Sequence, residues 1–440
     1  MEAYDRLTDA LKRMLPARLL SSEAREVSFI KRLRAVRAPL FVWAVILSRW
    51  GNGLPGFAEA RACYERLGGK KLCPRPFQKR FLSASSVALM ERAFESAVAR
   101  WRAPGGRVRH VLARHFSDIV LVDSTHVHLL DALRRVFKGT RKAKSALKIC
   151  LAVSAFGRLP LFARMAAGAT SDHKLFPSLK LFPARLLWLF DRGFVAFERL
   201  RQIGLHGQFY LCPMQQNGNP LVVKAHSAPR RVRRRLAEAP AGIRLKELLP
   251  KDQRLTRPWD LEVQLTPHWT AADRTPVSAR LVIVQGPKHH YFYLTNLPAL
   301  WKPRTIVELY RLRWQVELVF KELKQDLGLT AMPSKNKHAI QVFAWASLLA
   351  LALSRVVADW LAPLRRIVGL KQPFRPALVS RALRGGVRLL AFCLRAPEHI
   401  AVTMLRFLRA ELIREARSRA TNRADSFLRL AQKLNPLVPA

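Results

Sequence analysis

The sequence predicts an α/β protein: a mixed-sheet core interrupted by a β-rich insertion and flanked by helical, basic ends. Three observations carry this. Between residues 117 and 213, short runs rich in Val, Ile and Leu alternate with helical stretches. From 214 to about 300, segments of period two replace them. After 303 the helical period returns and holds into the tail.

The elements follow in order. Residues 1–112 read as helical and basic. GFAEARACYERLGG (56–69) is a helix with a glycine stop, and GKKLCPRPFQKRFL turns and starts a second short helix near Pro76. Two short helices around a tight turn suit a helix-turn-helix or a plain helical bundle with a basic surface. DIVLVDSTHVHLL is a buried strand. ALKICLAVSAFG and LPLFARMAAG form a hairpin that turns at Gly157-Arg158. SDHKLFPSLKLF is a short helix, ARLLWLFDRGF a fourth strand, FVAFERLRQIGL a helix and QFYLCPM a fifth strand. Three strands, helix, strand, helix, strand is the order of a ribonuclease-H-like sheet in an α/β layer fold. WDLEVQL, ARLVIVQ and YFYLTNL make the insertion β-rich. The arginine block RRVRRR (230–235) sits in a linker-like stretch, and suits a contact to a nucleic-acid backbone or a solvated loop.

The charge balance points to a partner. There are 77 Lys plus Arg against 30 Asp plus Glu, a net of +47 in 440 residues. Such an excess calls for a polyanion, and double-stranded DNA is the expected one, ahead of an anionic membrane. The basic residues recur along the whole length, which favours a folded surface laid along a duplex. The first residues lack the apolar core of a signal peptide. The longest oily run, VFAWASLLALALS (342–354), is short for a bilayer and ends near Arg355 and Asp359, so it reads as a buried helix. Five cysteines without a CxxC pair suggest a reducing cytoplasm and no structural zinc.

Asp123 (LVDST) and Asp191 (LWLFDRGF) end or interrupt apolar strands. A charge there costs several kcal/mol unless it is paired, hydrogen-bonded or bound to a cation. If the first and fourth strands are neighbours, these carboxylates lie across strands about 4.8 Å apart and repel unless a divalent cation sits between them. Either aspartate also suits a cap or turn. Glu317, on a helix laid against the sheet, completes an oxygen-rich site suited to Mg²⁺ or Mn²⁺. Two ions about 3.5–4 Å apart serve in-line phosphoryl displacement.

The helix that carries Glu317, ELYRLRWQVELVFKELKQDLGL (308–329), adds a polar row. Tyr310, Arg313, Glu317 and Lys324 fall at roughly 0°, 300°, 340° and 320° around a helix of about 100° per residue. Leu309, Val316 and Leu323 mark a packing face. Surface i,i+4 pairs such as Arg313–Glu317 and Glu317–Lys321 are the plain alternative. Beside bound cations, Arg313 and Lys324 face DNA phosphates, and Tyr310 donates to a phosphate or stacks on a base.

Asp123, the DRGF at 191–194 and the Tyr310/Arg313/Glu317/Lys324 helix together resemble bacterial insertion-sequence transposases of the DDE type, in the cut-and-paste group marked by a Tyr-Arg-Glu-Lys signature. The β-rich insertion before the glutamate is also similar, and the likeness covers roughly residues 55–360. It implies a catalytic, metal-binding triad of Asp123, Asp191 and Glu317, two Mg²⁺ (or Mn²⁺) ions per active site, and DNA binding by Tyr310, Arg313 and Lys324. It implies binding of terminal inverted repeats, cleavage at the element's ends and strand transfer into target DNA, often through a hairpin with a flipped base. Trp259, Trp269 and Trp301 are candidates to hold that base, with Trp314 packed under its helix. The segments become a helical DNA-binding region (1–112), the first part of the core (113–213), the insertion (214–302), the glutamate and packing helices (303–362), and a basic helical tail (363–440). In that tail LRFLRAELIREARSRA is a candidate dimer helix for a homodimer that pairs two DNA ends. The expected location is the bacterial cytoplasm, on the nucleoid when DNA is bound.

Two rivals stand beside this. One is a nuclease on the same fold that cuts without joining. The other is a non-catalytic DNA-binding protein derived from a transposase, against which the intact acidic positions speak. His126 and His128 share a strand face but lack a third zinc ligand. His173 caps or lines its short helix.

Overall fold

The computed structural model describes residues 6–30, 36–51, 56–101, 111–215, 218–249, 254–266, 275–287, 289–332, 334–361, 376–396, 401, 403–410 and 413. Its sheet is built from β1 (Ile119–His128), β2 (Lys138–Thr140), β3 (Ala143–Ser154), β4 (Pro160–Ala167), β5 (Leu187–Phe190), β6 (Phe209–Pro213), β7 (Leu221–Ser227), β8 (Ile243–Arg244), β9 (Trp259–Leu265), β10 (Val277–Gln285) and β11 (His290–Thr295). The helices are α1 (Arg6–Met14), α2 (Ala17–Glu26), α3 (Ala38–Leu47), α4 (Phe57–Arg66), α5 (Pro74–Lys79), α6 (Ala84–Trp101), α7 (Phe197–Leu205), α8 (Arg230–Ala237), α9 (Leu245–Leu248), α10 (Pro303–Arg311), α11 (Gln315–Gln325), α12 (Lys337–Leu361) and α13 (Pro376–Arg395).

The core sheet has the expected order. β3 pairs with β1 and β4 in antiparallel register, and Arg158 takes a positive φ of 54° in the turn between β3 and β4. β1, β5 and β6 run parallel. β5 is buried at all four positions, as a parallel strand covered on both faces should be. The insertion does not leave this sheet. β11 pairs with β6, and the order continues through β10, β9 and β7 to β8. The core and the insertion therefore share one hydrogen-bonded layer.

A helical layer backs it. α12 is buried around its whole circumference from Val342 to Val357 and contacts α1, α3, α6 and α13. It is long and apolar enough to cross a membrane by composition, yet 89% of its apolar window is buried inside the protein, as the sequence suggested. Phe41, Phe57, Phe77 and Phe81 meet Phe343 of α12 in one aromatic cluster. The two short helices expected around Gly68 are present as α4 and α5, with Gly68 at φ 85°. α5 buries Phe77 and exposes Arg75, Gln78 and Lys79.

Four local readings are corrected. SDHKLFPSLKLF forms two 3-10 turns, Asp172–Leu175 and Leu179–Leu181, because Pro177 ends the first before an α-helix can develop. The segment 308–329 is not one α-helix: a 3-10 turn, Leu312–Trp314, joins α10 to α11. RRVRRR is helical, as α8, rather than linker, because Val232 and Leu236 at i,i+4 bury against the sheet. Trp314 is 58% exposed, not packed under the helix, because Leu309, Leu312, Val316 and Leu323 take the buried face. The tail from 411 lies outside the described residues except Ile413, so most of the expected dimer helix does too.

Candidate active site

β1 carries Asp123 one residue beyond its last pairing with β5, where Val122 faces Phe190. β5 ends there, and Asp191 follows as the residue that opens the 3-10 turn Arg192–Phe194. The two aspartates therefore lie side by side where β5 ends and its parallel pairing with β1 stops, Asp123 in the middle of β1 and Asp191 just past the carboxyl end of β5, an end at which α/β sheets build sites. Asp123 is half-buried between its neighbours and Asp191 is exposed. Ser124 donates its backbone N–H to Asp123 Oδ1 at 2.7 Å.

α11 lies against β1 and brings Glu317 over the strand end. The row anticipated from helical spacing converges here. Arg313 Nη1 donates to Asp123 Oδ2 at 2.9 Å, and its Nη2 donates to Glu317 Oε1 at 3.1 Å. The guanidinium also lies 5.9 Å from the Tyr310 ring centre. Burial opposes its charge, but Tyr310, Asp123, Asp191 and Glu317 outweigh burial and raise its pKa. Lys324 joins Asp123, Ser124, Thr125, Glu317, Phe320, Lys321 and Gln325 around a cleft of ≈ 410 Å³. Burial lowers the Lys324 pKa.

Asp123 is pushed up to about 6, chiefly by burial and further by Asp191 and Glu317, against the Ser124 N–H and Arg313. Burial drives the Tyr310 phenol well above its ordinary range, so it stays a donor. Tyr310 also packs against Tyr293 at 5.1 Å.

Among the described residues, no three His, Cys, Asp or Glu side chains form a ready-made cage for a metal ion. The carboxylates fit one nonetheless. Asp123 and Glu317 point at a single positive centre, Asp191 is close enough to raise the Asp123 pKa, and every donor is oxygen.

A bracket beside the site was not anticipated. Asp172 Oδ1 accepts from Ser124 Oγ at 2.7 Å and from Lys148 Nζ at 3.0 Å. Lys148 is 6% exposed and also donates to the Thr170 carbonyl. A Cβ added to Gly193 would lie 3.0 Å from Asp172 Oδ2, so Asp172 also abuts the turn after Asp191. The signal for it was a lysine inside the apolar strand ALKICLAV, which needs a buried partner.

The aromatic candidates change. Trp259 and Trp301 are 1% and 5% exposed, so neither is open to a base, and Trp269 lies outside the described residues. The edge of Trp301 packs under His115, near Phe116. Trp314, next to Arg313, is an exposed ring. His126 bonds the Gly168 carbonyl at 3.1 Å, and His173 is exposed and bonds Ser171 Oγ at 2.8 Å, a local loop contact.

Behind α11, Glu322 and Arg355 form a buried bidentate pair at 2.9 and 2.8 Å, and Ser380 also donates to Glu322. Buried Arg49 donates to Ser347 Oγ at 3.0 Å and to the Leu327 and Gly328 carbonyls just past α11. Burial lowers its pKa to about 9. These contacts tie the later part of α11 and the loop after it to α12, α13 and Arg49.

Residues 114–353 match the family model for the transposase DDE domain. The chain is similar to the transposase for insertion sequence element IS231F of Bacillus thuringiensis subsp. israelensis, 22% identical over 408 residues and 80% of each chain. It is also similar to the putative transposase InsL for insertion sequence element IS186A of Escherichia coli (strain K12), 28% identical over 254 residues, 57% of this chain and 59% of that one. Among solved structures, a piggyBac transposase synaptic complex with hairpin DNA aligns over 92% of this chain and 84% of that chain at a TM-score of 0.46 and 10% identity. With the matched region spanning both aspartate strands and the glutamate helix, the chain belongs to the bacterial insertion-sequence transposases of the DDE type.

Proposed function

We propose that Asp123, Asp191 and Glu317 are the catalytic triad and hold two Mg²⁺ or Mn²⁺ ions. The observation that carries this is the meeting of Asp123 and Glu317 on one guanidinium, with Arg313 and Asp123 190 positions apart in sequence. Asp123, Asp191 and Glu317 would hold the ions, which would supply positive charge for an in-line phosphoryl displacement with water or a DNA 3′-hydroxyl as nucleophile. The same site then serves cleavage and strand transfer without a covalent protein intermediate.

The side chains around it divide the work. Asp123, in its ionised form, and Glu317 supply anionic oxygens. Arg313, released from them, moves its fork onto a DNA phosphate, where bidentate geometry orients the strand. Lys324 adds a point charge across the cleft. Tyr310, kept protonated, donates to a phosphate oxygen. The exposed face of α5 and the basic N-terminal helices suit binding of the terminal inverted repeats, and the chain acts as a homodimer that pairs two ends. Where a base is flipped, Trp314 is the ring placed to stack on it.

The test is cleavage of a labelled duplex carrying the gene's own flanking DNA, with Mg²⁺, by the wild type and Glu317→Gln. The variant keeps the side chain's size and removes the charge. Cutting at the flank boundary by the wild type, with binding but no cutting by the variant, is the expected result. Equal cutting by both removes Glu317 from the triad, and binding without cutting by both leaves a DNA-binding protein only.

A further inference from the structure

α8 is a helix that breaks local rules. RRVRRRLA places five arginines on eight residues with no acidic residue among them. Arg230 and Arg231 occupy the N-terminal turn, where the helix dipole disfavours positive charge. Arg230/Arg234 and Arg231/Arg235 are like-charge i,i+4 pairs, each unfavourable by a few tenths of a kcal/mol. All five are exposed. Arg234 has an exposed acidic neighbour in Glu238 at 3.5 Å, and Arg235 donates to the Glu247 carbonyl at 2.8 Å. What holds the helix is elsewhere: Val232 and Leu236 are buried, and α8 packs on β7. Folding needs those two anchors and not the arginines. A charge arrangement that opposes the fold, on a helix held rigid by it, marks a binding surface for a polyanion.

The sheet says where that surface lies. β7 is the fifth strand from β5, past β6, β11, β10 and β9, and the sixth from β1. At about 4.8 Å per strand the path from the aspartates to β7 is roughly 24–29 Å along the sheet. A duplex laid along it spans about 7 to 9 base pairs in that length, at about 3.4 Å each.

We propose that α8 is a clamp for the sugar-phosphate backbone of duplex DNA, meeting it about 7 to 9 base pairs from the phosphodiester held at the carboxylates. The clamp adds affinity and orientation without reading sequence. Its location rests on the reading of the carboxylates as the cleavage site; its charge and rigidity do not.

The test compares the full chain with the fourfold variant Arg230→Gln, Arg231→Gln, Arg233→Gln and Arg234→Gln, which leaves both anchors and Arg235 in place. Far-UV circular dichroism and thermal unfolding check that the fold is kept. Binding is measured by fluorescence anisotropy from about 50 to about 200 mM salt. One duplex extends about 12 base pairs on each side of the element boundary, and two others are trimmed to about 5 on one side, either the element's or the flank's. On the long duplex the slope of log K against log salt should become shallower by roughly 0.9 per arginine engaged, so by about 2 to 4 in total. One trimmed duplex should abolish the difference between the proteins, and which one identifies the side the clamp holds. Equal slopes on the long duplex overturn the proposal and leave the arginines to an acidic protein partner. An equal loss on all three duplexes overturns the distance. Because the readout is binding, a catalytic failure at Glu317 would not be mistaken for a failure of the clamp.

Discussion

Arg313 and Asp123, 190 positions apart, are joined by a hydrogen bond of 2.9 Å, and the same guanidinium holds Glu317. If Asp123 and Glu317 hold a cation as proposed, the arginine competes with it for the same oxygens. Arg313→Gln should bind Mn²⁺ several-fold more tightly in the absence of DNA, by titration with electron paramagnetic resonance detection. Its cleavage rate should drop about 10²-fold, the usual loss for one aligned donor at a charged centre. Unchanged or weaker Mn²⁺ binding would remove the competition.

Asp123 supplies a pH dependence. Burial above all pushes its carboxyl up from 3.8 to about 6. A raised acid is protonated below that value, so under the proposed role its oxygens are lost to a cation as pH falls through 6. About a tenth remain ionised one unit lower. Stability moves the other way: burial of the charged form is relieved as pH falls from 6 towards 3.8. Cleavage should decline with unit slope in log rate below about 6, and more Mg²⁺ should move the midpoint lower. A flat profile down to pH 5 would contradict this.

The buried Glu322–Arg355 pair behind α11 bears on stability. Arg355→Met leaves Glu322, among the described residues, buried against Ser380 and without its cation, and should cost about 3–5 kcal/mol in urea unfolding. The double variant Glu322→Leu, Arg355→Met should recover most of that, because a matched apolar pair leaves no stranded charge. A double variant as unstable as the single one would show that the pair itself holds the packing.

Trp314 is 58% exposed beside Arg313. If it stacks on a base, Trp314→Ala should lose about 1–3 kcal/mol of end binding. 2-Aminopurine at the element boundary should brighten with the wild type and stay quenched with the variant. An identical signal from both proteins would exclude the ring.

Asp172 braces Ser124 and abuts Gly193. Asp172→Ala should lower cleavage by about 10- to 100-fold through displaced aspartate turns. A weakened Mn²⁺ affinity with unchanged DNA affinity separates this from general unfolding.

Much of the site was legible in the chain. The wedge of Tyr310, Arg313, Glu317 and Lys324 depends on helical period alone, and the short 3-10 turn at Leu312–Trp314 did not scatter it. Asp123 and Asp191 stood out because each ends an apolar run. Lys148 did not, since its meaning depends on Asp172, 24 positions away on another turn.

The sequence by itself determined the charge, the element order of the core and the residue types of the site, because those follow from composition and local periodicity. Only the tertiary structure decided that β11 joins β6, that Trp301 is buried and Trp314 open, and that Arg313 stands between the carboxylates. Strand pairing, desolvation and ion pairing all depend on which distant segments meet, and no local pattern carries that information.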